Sequence, residues 1–180
     1  MRIAIEKYTK DGTDDFYYKI RKAQNIQNIE KNQDEKTTDE ESLNLINEYK
    51  SFIKAIENFI KISPKYKGKI YRGMALESDI SEIYSIKGLK TPYGMRGMSS
   101  WTTDKEQAIR YASKNSNDQK PIKMILEIEN CKTGTSVRHL SKAPVDEKEI
   151  LVSGYTYFKT IKIKVNIDED GFYIISVKEM

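Results

Sequence analysis

Gly68-Lys69-Ile70-Tyr71-Arg72-Gly73 reads as a short strand, and the texture of the chain changes there. Residues before it carry apolar positions at helical spacing. Residues after it mostly alternate apolar and polar with a period of two. Upstream, Thr13-Asp14-Asp15 has the composition of a helix start, with carboxylates near the N-terminal dipole. Phe16, Ile20, Ala23 and Ile26 follow as a helical stripe. Asn32 to Lys36 reads as a polar connector, and Thr38 with Glu41 has capping-box spacing. Leu45, Ile46, Tyr49, Phe52, Ile53, Ile56, Phe59 and Ile60 then repeat at i, i+3 and i+4, the clearest helix in the chain. Ser63-Pro64 ends it. Both stripes read as core-facing surfaces.

Downstream of the strand, a short helix is expected around Ser78 to Ser85. A glycine-punctuated segment, Gly88 to Gly97, leads into Met98-Ser99-Ser100-Trp101-Thr102. Thr103 and Glu106 repeat the capping-box spacing and open a helix holding Ala108, Tyr111 and Ala112. Ile122, Met124, Leu126 and Ile128 alternate with Lys123 and Glu127, the pattern of a half-buried strand. Ser136 to Leu140 reads as a short strand. Tyr155 to Val165 alternates again, Asp168-Glu169-Asp170-Gly171 is a turn, and Phe172 to Val177 returns, so the C-terminus should form a hairpin. Helices first and strands later predict an α+β fold rather than alternating βαβ units. A helical segment, 1–65, is expected to pack on a core of 66–180, one compact body overall.

The 180 residues are enough to bury a sizeable core. A net charge of +4 and a pI near 8.9 suit an anionic ligand but do not demand nucleic acid. Twelve tyrosines offer stacking surfaces, though most belong in or beside a core. The single cysteine, Cys131, rules out an intrachain disulfide and argues against a thiolate metal site. The single histidine, His139, reads as a surface or structural residue. No apolar leader or membrane-length window stands out, so a cytoplasmic protein, with no membrane partner, is the expectation.

Among chemistry-bearing patterns, no GxxxxGK[ST] and no GxGxxG after a strand is present, so a bound nucleotide would be held without either cradle. Gly94-Met95-Arg96-Gly97 has the GxxG spacing of KH-type RNA-binding loops. It motivates a second reading, an RNA or single-stranded DNA binding module, though the flanking text lacks the helix pair such a loop joins. Arg72 ends an apolar run beside Gly73; a guanidinium fork suits phosphate, and glycine lets a ligand approach the backbone. Ser99 and Ser100 stand before Thr102 at the entry to a helix. Glu147 and Glu149 stand two apart, which in a strand is one face, and like charges that close disfavour each other's ionisation. Alone, the pair reads as a solvated acidic turn. With Arg72 and Ser100, it reads as a phosphate-binding, orienting and cation-stabilising set.

In this order the motifs resemble the mono-ADP-ribosyltransferases of the arginine-serine-glutamate class, found in bacterial toxins, phages and vertebrate ectoenzymes. Tyr71-Arg72-Gly73 matches the aromatic-Arg-Gly strand. Ser100-Trp101-Thr102 stands where the family has Ser-Thr-Ser, with Ala108 at the matching helical offset. Glu147-Lys148-Glu149-Ile150-Leu151 fits E-x-E followed by apolar residues. Ser153-Gly154-Tyr155-Thr156-Tyr157-Phe158 resembles the glycine-led strand that follows, and Leu140 to Pro144 the loop that precedes. The departures are Trp101 and Thr102. The resemblance covers about the last two-thirds of the chain. It implies a mixed β core of two packed sheets preceded by helices, and transfer of ADP-ribose from NAD to a protein acceptor without a metal. It further implies that Glu149 stabilises the ribose cation, Ser100 orients Glu149 and Arg72 binds the NAD phosphates. Glu147 would meet the acceptor, and glutamate at that place goes with arginine acceptors. Tyr71, Gly73 and Thr102 would line the NAD site. A nucleic-acid acceptor is a further alternative.

Overall fold

The computed structural model describes residues 2–9, 15–33, 39–76, 93–95, 97–140, 148–165 and 171–180. Along them run α1 (Arg2–Thr9), α2 (Phe16–Gln33), α3 (Glu40–Ile62), β1 (Gly68–Leu76), β2 (Tyr93–Gly94) and β3 (Ser99–Thr102). Then follow α4 (Lys105–Asn115), β4 (Ile122–Cys131), β5 (Thr135–Ser136), β6 (Glu149–Val152), β7 (Tyr157–Val165) and β8 (Phe172–Glu179). The architecture is α+β, as the change of texture at Gly68 predicts. The short helix expected over 78–85 lies outside the described residues. No described helix is long and apolar enough to cross a membrane. Two compact units are present: one is Met1–Lys65 with Gly94–Ser99 and Thr133–Thr156, the other Tyr66–Tyr93 with Ser100–Lys132 and Tyr157–Met180.

The first unit is built on the helical stripes. Ile20, Ala23, Tyr49, Ile53, Ile56, Phe59 and Ile60 are buried with Ala4, Ile5 and Tyr8 of α1, and Met98, Val137 and Leu151 join the same cluster. Fully burying isoleucines such as Ile20 and Ile56 contributes about 1.5–3 kcal/mol each. Phe16 meets Phe52 edge-on at 5.1 Å and Tyr49 at 5.6 Å, which locks α2 against α3. The cap of α3 is Asp39, not Thr38, which lies outside the described residues. The Asp39 carboxylate accepts from the Ser42 amide at 2.9 Å. Hydrogen bonds from Ser42 hold that carboxyl below its usual range. A charged acceptor at the dipole's positive end does the capping better than a hydroxyl. Ser63, extended and followed by proline, ends α3 as expected.

In the same unit β5 pairs antiparallel with β6, Thr135 opposite Leu151 and Ser136 opposite Ile150. The strand expected over 136–140 stops at Ser136. Val137 donates its amide to the Glu149 carbonyl, and Leu140 turns back onto the Val137 carbonyl at 2.7 Å. His139 stands exposed in that turn, the surface role its sequence suggests.

The second unit is a mixed sheet. β7 pairs antiparallel with β8, β8 parallel with β4, β4 antiparallel with β1, and β1 antiparallel with β3. The C-terminal hairpin is therefore present, and Gly171, at φ 67°, opens its return strand. β4 is the half-buried strand its alternation predicts, with one further buried position on its second face. Met124, Leu126 and Ile128 lie on one face; Ile125, on the other, packs against Ala108 and Ala112 of α4 and Phe172. Lys123, Glu127 and Glu129 share the face of Ile125 and keep the rest of it polar and partly exposed. Asp104, not Thr103, caps α4, accepting from the Glu106 amide at 3.0 Å.

Candidate active site

β1 carries Tyr71, Arg72 and Gly73 with alternating directions. Tyr71 and Gly73 face α4, where Tyr71 packs on the Ala108–Ala112–Ile125 cluster. At Gly73 an added Cβ would lie 1.9 Å from the Ala108 carbonyl oxygen and 2.8 Å from the Ala112 amide nitrogen. The glycine is thus explained by the closeness of the helix backbone, and Ala108 is the residue seated on it. Arg72 points to the other face. It is half-buried, pairs in register with Leu126, and donates from one guanidinium nitrogen to the Ser100 carbonyl. Arginine has five donors in a planar fork, so this bond orients the group while leaving its phosphate-recognising shape intact.

β3 brings its motif directly beside β1, with Tyr71 opposite Thr102. Ser100 and Thr102 share one face of the strand and Trp101 takes the other. Trp101 is buried against Phe158, ring centroids 5.7 Å apart. The tryptophan that departs from Ser-Thr-Ser is therefore a packing residue on the face away from Ser100. Thr102 is buried, and its Oγ1 accepts from the Asp104 amide at 3.0 Å, tying the strand end to the start of α4. Arg72 with Ser100, and Tyr71 with Thr102, are the predicted site residues seen together.

Glu149 opens β6 in the first unit and is only 5% exposed. Ile150, Leu151 and Val152, which follow, are buried too. A carboxylate in such surroundings costs stability unless it is used. Glu147 lies outside the described residues. Lys148 has φ 48°, a left-handed backbone. Lys148 is thus not extended, and β6 starts only at Glu149. Left-handed backbone at a non-glycine residue costs on the order of 1–3 kcal/mol and gathers at functional sites. Lys148→Gly is expected to preserve or slightly raise stability, and Lys148→Val to lower it by about 1 kcal/mol, because a β-branched residue tolerates positive φ worst. Urea unfolding of the two variants checks this.

Two residues that the motifs do not mark are Gln24 of α2 and Glu57 of α3. Both are polar residues one turn after a buried isoleucine, Ile20 and Ile53, and so interrupt apolar stripes. That interruption is the signal the sequence offers for them. As for the GxxG spacing, Gly94 ends β2, and Gly97, at φ 95°, lies against α2 just before β3. The described elements flanking it are strands, whereas a KH loop joins helices.

No family model matches the sequence, and no curated protein matches it. Solved structures do. The chain is similar to the ADP-ribosyltransferase Vis, a toxin from Vibrio splendidus, in complex with agmatine: 18% identity, TM-score 0.67, 99% of this chain and 73% of that one. It is similar to the ADP-ribosyltransferase HopU1 of Pseudomonas syringae pv. Tomato (17% identity, TM-score 0.65, 99% and 75%). It is also similar to an ADP-ribosyltransferase from Clostridium botulinum (14% identity, TM-score 0.63, 99% and 85%). The chain has the ADP-ribosyltransferase fold.

Proposed function

We propose that this chain transfers ADP-ribose from NAD to an arginine side chain of a protein acceptor, releasing nicotinamide. The supporting observation is a coincidence of fold and motif. On a chain with this fold, Tyr71-Arg72-Gly73 and Ser100-Trp101-Thr102 occupy directly paired strands, and a buried carboxylate, Glu149, opens a third.

The donor set suits a dinucleotide. The Arg72 fork, oriented by the Ser100 carbonyl, takes phosphate oxygens. Breaking the N-glycosidic bond to nicotinamide builds positive charge on the ribose, as in glycoside hydrolysis. Glu149 supplies the fixed negative charge that favours this state, more strongly for being buried. The Ser100 hydroxyl orients that carboxylate, and Tyr71 and Thr102 line the nicotinamide side, while Gly73 lets α4 seat against β1. Glu147 holds the acceptor and takes its proton. A guanidinium has a pKa above about 12, so a carboxylate is the partner that both holds it and removes the proton as the new bond forms. Agmatine, the compound bound to Vis, carries a guanidinium group, which favours an arginine acceptor. A toxin among the structural neighbours supports a protein of a target cell as the acceptor.

Incubation with labelled NAD and cell extract, followed by mass spectrometry of labelled proteins, tests the reading. Arginine modification and nicotinamide release that both vanish in Glu149→Ala are expected; equal labelling by the two proteins overturns it. Glu147→Gln is expected to lower arginine transfer by about 10²-fold or more, the worth of a general base, while NAD hydrolysis largely persists. If hydrolysis falls equally, Glu147 has no separate acceptor role.

A further inference from the structure

Gln24 and Glu57 form one hydrogen-bonded chain inside the first unit. Gln24 is 0% exposed. Its Oε1 accepts from the Met98 amide at 2.6 Å, and its Nε2 donates to Glu57 Oε1. The same Glu57 oxygen accepts from the Gly154 amide at 2.9 Å, and Glu57 Oε2 accepts from the Ser153 hydroxyl at 2.6 Å. Ser153 Oγ in turn accepts from the Tyr155 amide at 3.1 Å. The Met98 carbonyl accepts from the Tyr8 hydroxyl at 3.1 Å, so both backbone groups of Met98 are held from the helices. These partners fix which end of the Gln24 amide is oxygen: the reverse orientation would set an acceptor against a carboxylate.

The anchoring points matter by their place in the chain. Met98 is the residue immediately before β3, the strand of Ser100. Ser153 and Gly154 come immediately after β6, the strand that Glu149 opens. Gln24 also fits between two glycines. A Cβ on Gly154 would lie 2.5 Å from Gln24 Nε2, and one on Gly97 would lie 3.2 Å from Gln24 Oε1. Hydrogen bonds to a charged carboxylate are about twice as strong as neutral ones.

We propose that Gln24 and Glu57 are positioning residues of the reaction, holding the exit of β6 and the entry of β3 so that Glu149 and Ser100 are presented in their productive geometry. This rests on the role of Glu149 proposed above. Misplacing a catalytic group by about 1 Å costs on the order of 10²-fold in rate, so small shifts at either anchor are enough.

The experiment measures nicotinamide release from NAD by the wild-type chain, Glu149→Ala, Glu57→Ala, Glu57→Gln and Gly154→Ala. Circular dichroism and thermal melts accompany each. Gly154→Ala is the second variant: its φ is not positive, and the added methyl meets the end of the Gln24 side chain rather than backbone, so relief comes from moving Gln24. Glu57→Ala and Gly154→Ala are expected to lower kcat by about 10- to 100-fold with KM for NAD within about twofold. Glu57→Gln, which keeps acceptors for Gly154 and Ser153, is expected to recover part of the loss. A kcat within about twofold of wild type in folded Glu57→Ala or Gly154→Ala overturns the positioning role. So does a loss that only follows the unfolded fraction. If the wild-type chain releases no nicotinamide in a Glu149-dependent way, the reading of Glu149 falls, and the positioning role falls with it.

Discussion

Glu149→Gln is expected to lower nicotinamide release on the order of 10³-fold, about 4 kcal/mol in the barrier. The same change should leave the melting temperature level or raise it. The two halves of this expectation have one cause. Glu149 is buried at the head of a strand whose next three residues are buried and apolar. An ionised carboxylate there is poorly solvated, so it strains the folded state while strengthening any attraction to a developing cation. Glutamine keeps the volume and most of the hydrogen-bonding capacity but removes the charge. Activity lost together with stability would mean that Glu149 is a structural member of β6. Activity retained would mean that the charge at this position plays no part in bond breaking.

Gly73→Ala is expected to destabilise the chain by about 3 kcal/mol or more, which for a chain of this size is a fall of roughly 6–12 °C in Tm. The added methyl would lie 1.9 Å from the Ala108 carbonyl oxygen, and backbone cannot rotate aside as a side chain can. Relief requires moving α4, and with it the packing of Ala108, Ala112 and Ile125. Were Gly73 instead needed for close approach of a ligand, the variant would keep its Tm and raise KM for NAD. Thermal melts beside NAD kinetics separate the two.

The legible parts of the chain were those whose signal is local and repeated. The stripe from Leu45 to Ile60, the stop at Ser63-Pro64 and the final hairpin follow from periodicity and turn chemistry alone. The motifs of β1 and β3 were legible as residue types in order. Their direct pairing was not, since pairing partners are chosen by the whole sheet. Each cap falls one residue after the threonine that the capping-box spacing marks, on an aspartate whose charged oxygen accepts better. Alternation marks β4 as half-buried, which it is; that Ile125 on the second face lies under a helix is something periodicity within β4 cannot reveal. The positive φ of Lys148 carries no residue signature, since glycine is what that conformation ordinarily selects. Gln24 and Glu57 are 33 positions apart and meet only in the fold.

The first unit draws on three separated stretches, the last ending at Thr156. During synthesis the N-terminal helices therefore emerge long before Val137 and Leu151, which complete their apolar cluster. Until then Ile20, Ile53 and Ile56 have only part of their cover. The separation of these contacts along the sequence also makes the search for them slow. The helical core of this unit is thus completed only by residues made well after the helices themselves.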